Sequence, residues 1–393
     1  MQKLTDQERL KPWMGFVLFG FVMAVFVTVC AWMQLNWGIP GLVLTELLLA
    51  GIAVLFCVIR KVKIREVFPM KKISIRDFFG CILLLIGGYL ISILSVLIMA
   101  VIVPESYQEA AELGGFLYDG SMSYITTLIV VAILPGICEE SIYRGAILST
   151  FRSFKHEWAA IALVGLFFSI NHLSILRGPF TFIVGMILAY VVVKKNNILL
   201  SMMMHCLLNG FSVTLSYTSL DPEQIEAAAE MGVTLQSVGV YLILGCIAPI
   251  IIVTGMMLLN PEGHKATRYI TAGILAGVMF IGGIIITLTA RPAAIFTMNG
   301  TYEVTEEDFE TGYFTIEEEK EVTLIVVMTN ADGFYRASLV DKNGEIACAS
   351  DMGDGKIKTY TSTVLLPAGE YEVVITGGDD TIGQSPVYNI VVQ

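Results

Sequence analysis

Charge is scarce in this sequence. Asp, Glu, Lys and Arg make up 15% of its 393 residues, hydrophobic residues 55%, and the mean hydropathy is +0.73. That balance excludes an ordinary soluble domain of this length and suits a polytopic membrane protein. Histidine is rarer still, at four residues. Seven cysteines are present, but none forms a metal-type C-x-x-C pair. Six lie in apolar runs, and Cys348 alone lies in the C-terminal region, which therefore has no internal disulfide. The sequence holds no internal repeat and no low-complexity tract. The first apolar run is long and no A-x-A-like site follows it, so it reads as a span rather than a cleaved signal.

The charge that is present is unevenly placed. From Pro292 onward there are 18 acidic and 5 basic residues, whereas residues 1–291 hold 17 acidic and 19 basic. The net charge of −11 therefore belongs to the C-terminal region, and it speaks against nucleic acid as a partner there.

Apolar runs long enough to cross about 30 Å of hydrocarbon occur at about 14–34, 39–59, 79–103, 122–149, 157–173, 178–193, 197–217, 238–259 and 269–290. Helices satisfy their own backbone in lipid, so these runs predict an all-α bundle of about nine transmembrane helices, the fifth and sixth the shortest. The N-terminus and the loops 60–77, 150–156, 194–196 and 260–268 carry sixteen Lys and Arg, and the opposite short loops carry one, Arg177. The bias predicts a cytoplasmic N-terminus, and the odd span count an extracytoplasmic C-terminus, in an integral membrane protein of a bacterial type of cytoplasmic membrane. Two loops on the outer side are acidic. One holds Glu105, Glu109, Glu112 and Asp119; the other, Asp221-Pro222-Glu223, has the N-cap and N1 residues of a short helix. Either a lid or a solvated loop accounts for them.

Beyond Arg291 the apolar period becomes alternating. Segments 322–327, 337–340, 359–366 and 371–375 read as strands, Asn343-Gly344 as a hairpin turn and Pro367-Ala368-Gly369-Glu370 as another turn. About seven short strands predict a small antiparallel β-sandwich. The sequence thus divides into 1–291, an intramembrane bundle, and 292–393, an extracytoplasmic β-sandwich-like domain. Asp341-Lys342-Asn343-Gly344-Glu345 and Asp351-Met352-Gly353-Asp354 have the side chains for calcium, but turn chemistry explains the same residues.

Inside the spans the ionisable residues are Glu46, Glu139, Glu140, Arg144, His172 and His205. Five of the six fall on the fourth, fifth and seventh spans, and a charge at bilayer depth costs about 2.5–3.5 kcal/mol on insertion scales. Glu140 and Arg144 are i and i+4 on one helix face and can neutralise each other. Glu139 is turned about 100° away and is left less compensated. A carboxylate buried without a full partner holds a proton more readily than one in water, as a general base requires. Pro135-Gly136 is expected to weaken the helix before it and admit polar contacts or water. Phe168 and His172 share a face, as do His205 and Asn209, and the latter two can hold a carbonyl oxygen gaining charge. Taken singly, each has a plainer account: a buried ion pair for Glu140 and Arg144, interhelical hydrogen bonding for the histidines and Asn209. Glu46 has no motif around it and reads as interfacial or structural.

E-E-x-x-x-R (Glu139, Glu140, Arg144), F-x-x-x-H (Phe168, His172) and H-x-x-x-N (His205, Asn209), in that order on apolar helices, resemble the three motifs of the CAAX prenyl endopeptidase and bacteriocin-processing (CPBP) family. The resemblance covers roughly residues 79–217 and leaves out the C-terminal β region. It implies an intramembrane glutamic endopeptidase that needs no cofactor, with a peptide or protein substrate at the lipid bilayer. By the resemblance Glu139 is the general base and His172 helps hold the water. His205 and Asn209 form the oxyanion site, while Glu140, Arg144 and Phe168 support it. Three other readings stay open. Glu139, His172 and His205 are a chemically sound zinc set, although H-E-x-x-H is absent. A non-catalytic scaffold or immunity-type protein has no need of Glu139 chemistry. A third reading makes the C-terminal domain, whose partner is unassigned, the working part.

Overall fold

The computed structural model describes residues 10–103, 122–218, 233–262, 265–290, 295–301, 309–329, 331, 333–352, 357–378, 381 and 384–393. The acidic loops at 104–121 and 219–232, with the helix expected after Asp221, lie outside the described residues, as do His264 and Asp354. The chain divides into two compact units, Met1–Ala290 and Arg291–Gln393.

The first unit is helical. Its elements are α1 (Pro12–Trp37), α2 (Ile39–Arg60), the short α3 (Ile64–Val67), α4 (Ile75–Ile102), α5 (Tyr124–Thr150), α6 (Glu157–Asn171), α7 (Arg177–Lys195), α8 (Ile198–Thr218), α9 (Leu235–Gly245), α10 (Ala248–Leu259) and α11 (Lys265–Thr289). Seven described helices are long and apolar enough to cross a membrane, or eight if α9 and α10, bent by 42°, form one broken span. The fifth expected span is α6, whose 15 residues reach about 22 Å at 1.5 Å per residue, short of the hydrocarbon thickness. It stops where Leu173 adopts a left-handed conformation (φ 48°) and the chain turns into α7. Local chemistry sets other ends too. Gly38, at φ 56°, lets α1 turn directly into α2, and Ser74 and Ser123 cap α4 and α5 by accepting from Asp77 N and Thr126 N.

Much apolar surface stays outside. Along α11 only Ala272 and Gly283 are buried, while Ile270, Ile274, Val278, Ile281, Ile285 and Leu288 are exposed. Bands of that kind on several helices are what lipid covers, so the unit is that of an integral membrane protein. At its centre α5 packs against α2 on one side and α8 on the other, and α6 pairs with α7. The α6–α7 pair is close because Gly165 and Gly185 face each other; a Cβ on Gly185 would stand 2.9 Å from Gly165 Cα.

The second unit is two antiparallel four-stranded sheets. Strands β1 (Phe296–Thr301), β8 (Val387–Val392), β3 (Lys320–Thr329) and β6 (Ile357–Leu366) form one in that order; β2 (Phe309–Ile316), β7 (Gly369–Gly377), β4 (Tyr335–Asp341) and β5 (Ile346–Met352) form the other. Alternation along β3 buries Val322, Leu324, Val326 and Met328, which join Leu339, Val373 and Ile390 in one core. The β4–β5 hairpin turns at Asn343-Gly344, with Gly344 at φ 81°. Asp341 organises this turn: its Oδ1 accepts from the amides of Asn343 and Glu345, both at 2.8 Å, and its Oδ2 from Asn343 Nδ2 at 2.9 Å. Both carboxylate oxygens are thus engaged in turn chemistry.

Those donors, the Glu345 amide first, hold the Asp341 carboxyl below its ordinary value. A depressed folded-state value means stabilisation present above the unfolded-state value and lost as pH falls through the folded one. Asp341→Ala should therefore speed hydrogen exchange at the Asn343 and Glu345 amides near neutral pH, and acidifying the wild-type chain should do the same. Unchanged exchange in the variant would mean that the carboxylate does not hold the turn.

Candidate active site

The fourth-span motif sits on α5, which is not a uniform helix. Leu128–Ile133 and Ser141–Ile147 are π-helical turns, and Leu134–Glu140 between them is α-helical. Such turns are uncommon and concentrate at functional sites. Pro135 accounts for part of this. In a regular helix the amide of residue 135 would bond to the carbonyl of Val131, and proline has no such hydrogen. The Val131 carbonyl instead accepts from Asn209 Nδ2 on α8 at 3.0 Å. The expected weakening before Glu139 is thus filled by a polar contact from a motif residue.

Gly136 brings α8 against α5. A Cβ there would collide with Cys206 Sγ and stand 3.0 Å from the Cys206 amide nitrogen. Gly136→Val should force the helices apart at His205 and cost about 1–3 kcal/mol, as overpacking does, read as a lower melting temperature in detergent. A variant that melts like the wild type would show that the interface has slack.

The ion pair expected from spacing is present. Arg144 Nη1 donates to Glu140 Oε1 at 2.8 Å, and both side chains are 0% exposed. Arg144 Nη2 donates to the Gly185 carbonyl on α7 at 3.1 Å, and the guanidinium lies over the Phe168 ring at 4.3 Å. Glu140 Oε1 also meets His205 Nδ1 at 2.9 Å. Because a carboxylate only accepts, Nδ1 carries the hydrogen, which turns Nε2 of the same ring toward Glu139, 3.8 Å from its Oε2.

Glu139 is the unstrapped carboxylate. Its side chain is 14% exposed, and its buried Oε2 has no protein hydrogen bond. His172 caps α6: Nδ1 meets the Phe168 carbonyl at 2.8 Å, leaving Nε2 available. Phe168 stands edge-on to both imidazoles, with centroids 4.7 Å from His172 and 5.7 Å from His205, so one ring spaces the two. The structure therefore gathers Glu139, Glu140, Arg144, Phe168 and His205 directly, adds His172 through Phe168, and ties Asn209 to the Val131 carbonyl, eight residues before Glu139 on α5. Among the described residues no group of three or more His, Cys, Asp and Glu side chains is arranged to hold a metal ion. The zinc set Glu139, His172 and His205 is not brought together as ligands.

Two more residues border the site, Tyr143, which the motifs did not single out, and Glu46, which read as interfacial or structural. Tyr143 is wholly buried, edge-on to Phe168, with a hydroxyl that has no protein partner. It is i+4 from Glu139, a spacing that could have flagged it. Glu46 on α2 also points inward rather than to the membrane interface: its Oε2 is buried without a protein hydrogen bond, and it lies within electrostatic reach of Glu139, Cys138 and Tyr143. Its one sequence signal was being the sole carboxylate of its span.

No curated protein and no solved structure matches the chain. A family does: residues 121–211, the stretch that holds Glu139, Glu140, Arg144, Phe168, His172, His205 and Asn209, match the model of the type II CAAX prenyl endopeptidase Rce1-like family, which bears out the resemblance carried by the three motifs.

Proposed function

We propose that the helical unit is an intramembrane endopeptidase in which Glu139 activates water against a peptide bond. One observation supports this above the others: two adjacent carboxylates have opposite surroundings. Glu140 is held through its Oε1 by Arg144 and His205, though its Oε2, like that of Glu139, is buried without a hydrogen bond among the described residues; Glu139 has no such ion pair, and its Oε2 faces His205 Nε2 across 3.8 Å. That spacing is longer than a hydrogen bond and lets one water seated beside the pair bond to both.

In this reading Glu139 takes a proton as the water oxygen attacks the carbonyl carbon. His172 Nε2 steadies the same water. The carbonyl oxygen gains charge and is met by the second amide hydrogen of Asn209 and by His205 when both its nitrogens are protonated. As the C–N bond breaks, the proton on Glu139 passes to the leaving amine. A general base supplies about 10²–10⁴ in rate, and each oxyanion donor about 10²–10³.

The basic loops support a cytoplasmic N-terminus. Both ends of the α6–α7 pair are basic, so the pair returns the chain to the side it left, and the C-terminal unit is extracytoplasmic whether or not α6 crosses fully. The substrate is a peptide or protein at the membrane. Comparing membrane-enriched peptides from cells carrying wild type and Glu139→Ala tests the reading: substrates should persist uncut in the variant, and chelator should leave wild-type cleavage intact. Identical peptide sets would favour a binding role, and chelator-sensitive cleavage the zinc alternative.

A further inference from the structure

A groove of about 1010 Å³ lies on the outer side of α2, α5 and α8. Its composition changes along its length. At one end are Arg65 on α3, Lys71 from the loop after it and Asn196 from the loop after α7; further in are Ala50, Val54 and Ile137, and on α8 Leu199, Met202 and Cys206. Ala50 is ten residues inside the end of α2 at Arg60, which is about 15 Å along the axis. The groove thus runs from a cationic mouth at the helix ends to an apolar wall on the outer face about 15 Å further along α2.

The mouth is short of anions. Among the described residues no carboxylate lines the groove, and the nearest acidic residue in sequence, Glu66, pairs with Lys63 at 3.5 Å. Arg65 is exposed, and among the described residues Lys71 Nζ reaches only the Lys195 carbonyl, at 3.4 Å. Exposed Ile64 and Met70 flank these cations, an interfacial arrangement of apolar anchors beside basic heads. Cations at the surface and an apolar wall about 15 Å deep match the head-to-tail order of a lipid.

We propose that this groove is a binding site for an anionic phospholipid, its phosphate between Arg65 and Lys71 and an acyl chain along Val54, Ile137, Leu199 and Met202. Juxtamembrane basic residues attract anionic headgroups in general; here the adjoining apolar wall makes the attraction local. The groove lies back to back with the candidate active site: Ile137 and Ser141 bracket Glu139, and Cys206 follows His205. A bound lipid therefore fixes the three helices that carry the site's setting. The assignment does not depend on Glu139 chemistry.

Native mass spectrometry of the full chain released from detergent, with palmitoyl-oleoyl phosphatidylglycerol or phosphatidylcholine added, tests it. The wild-type chain should retain one phosphatidylglycerol at least about tenfold more tightly than phosphatidylcholine, and its melting temperature should rise with added phosphatidylglycerol, as a ligand of the folded state requires. The exposed pair Arg65→Gln/Lys71→Gln should lose the preference, and Lys61→Gln/Lys72→Gln, of equal charge change on the same loop but outside the groove, should keep it. Val54→Trp, which fills the wall, should weaken retention of both lipids. The proposal is overturned if the wild type shows no preference, if the preference survives Arg65→Gln/Lys71→Gln, or if both double variants lose it equally. It is also overturned if millimolar inorganic phosphate displaces the lipid, the mouth then being a bare anion site. Arg65- and Lys71-dependent binding of an apolar peptide with a free C-terminal carboxylate, without retention of either lipid, would make the groove a peptide subsite instead.

Discussion

Glu139→Gln should lower peptide cleavage by about 10²–10⁴-fold while leaving the melting temperature close to that of the wild-type chain. The substitution keeps the shape of the side chain and removes the base. Little else should change, because Glu139 Oε2 makes no protein hydrogen bond and His205 is held from its other side by Glu140. Glu140→Gln should differ in kind. It weakens the bond to Arg144 and the orientation of His205 together, so activity and stability should fall in step. Turnover of a membrane-derived peptide in proteoliposomes, with melting followed in parallel, reads both. A Glu139→Gln chain that cleaves at the wild-type rate would remove Glu139 as the base and with it the mechanism proposed above.

The second large effect is expected at Arg144. Its guanidinium is fully buried and divided between Glu140, the Gly185 carbonyl and the face of Phe168. Arg144→Met leaves the Glu140 charge with His205 alone. Breaking one side of a buried pair costs about 3–5 kcal/mol, because the remaining charge stays desolvated. Arg144→Lys should recover only part of this, since a point-like ammonium cannot reach Glu140 and the Gly185 carbonyl with one planar fork. The double variant Glu140→Gln/Arg144→Met should melt closer to the wild type than Arg144→Met does, yet remain inactive because nothing anionic then orients His205. If Arg144→Met melts like the wild-type chain, Glu140 has a partner other than the one seen here.

Helical spacing made the centre of the site readable in advance. Two residues four apart on a helix must share a face, so the Glu140–Arg144 contact followed from sequence, as did the isolation of Glu139 one position earlier. Alternation did the same for β3, whose buried residues are every second one. What spacing could not supply was the partner across a helix boundary. The Gly185 carbonyl is a backbone group on α7 with no signature of its own, and nothing in the spacing along α5 points to it. Glu46 stayed open between an interfacial and a structural reading for a related reason: one carboxylate near the end of an apolar run can be either until the facing helix is known. The 15-residue length of α6 was hidden as well, because the apolar run continues through Leu173, where the backbone, not the hydropathy, turns.

Pro135 carries a further consequence. An alanine in its place would be better for the helix taken alone, restoring an amide that in a regular α-helix is aimed at the Val131 oxygen. That amide would compete with the Asn209 side chain, now bonded there at 3.0 Å. Improving the helix locally would thus unfasten its neighbour. The imperfection is a latch: α5 lacks one backbone donor at Pro135, and the Val131 carbonyl one turn before it clasps α8 through Asn209.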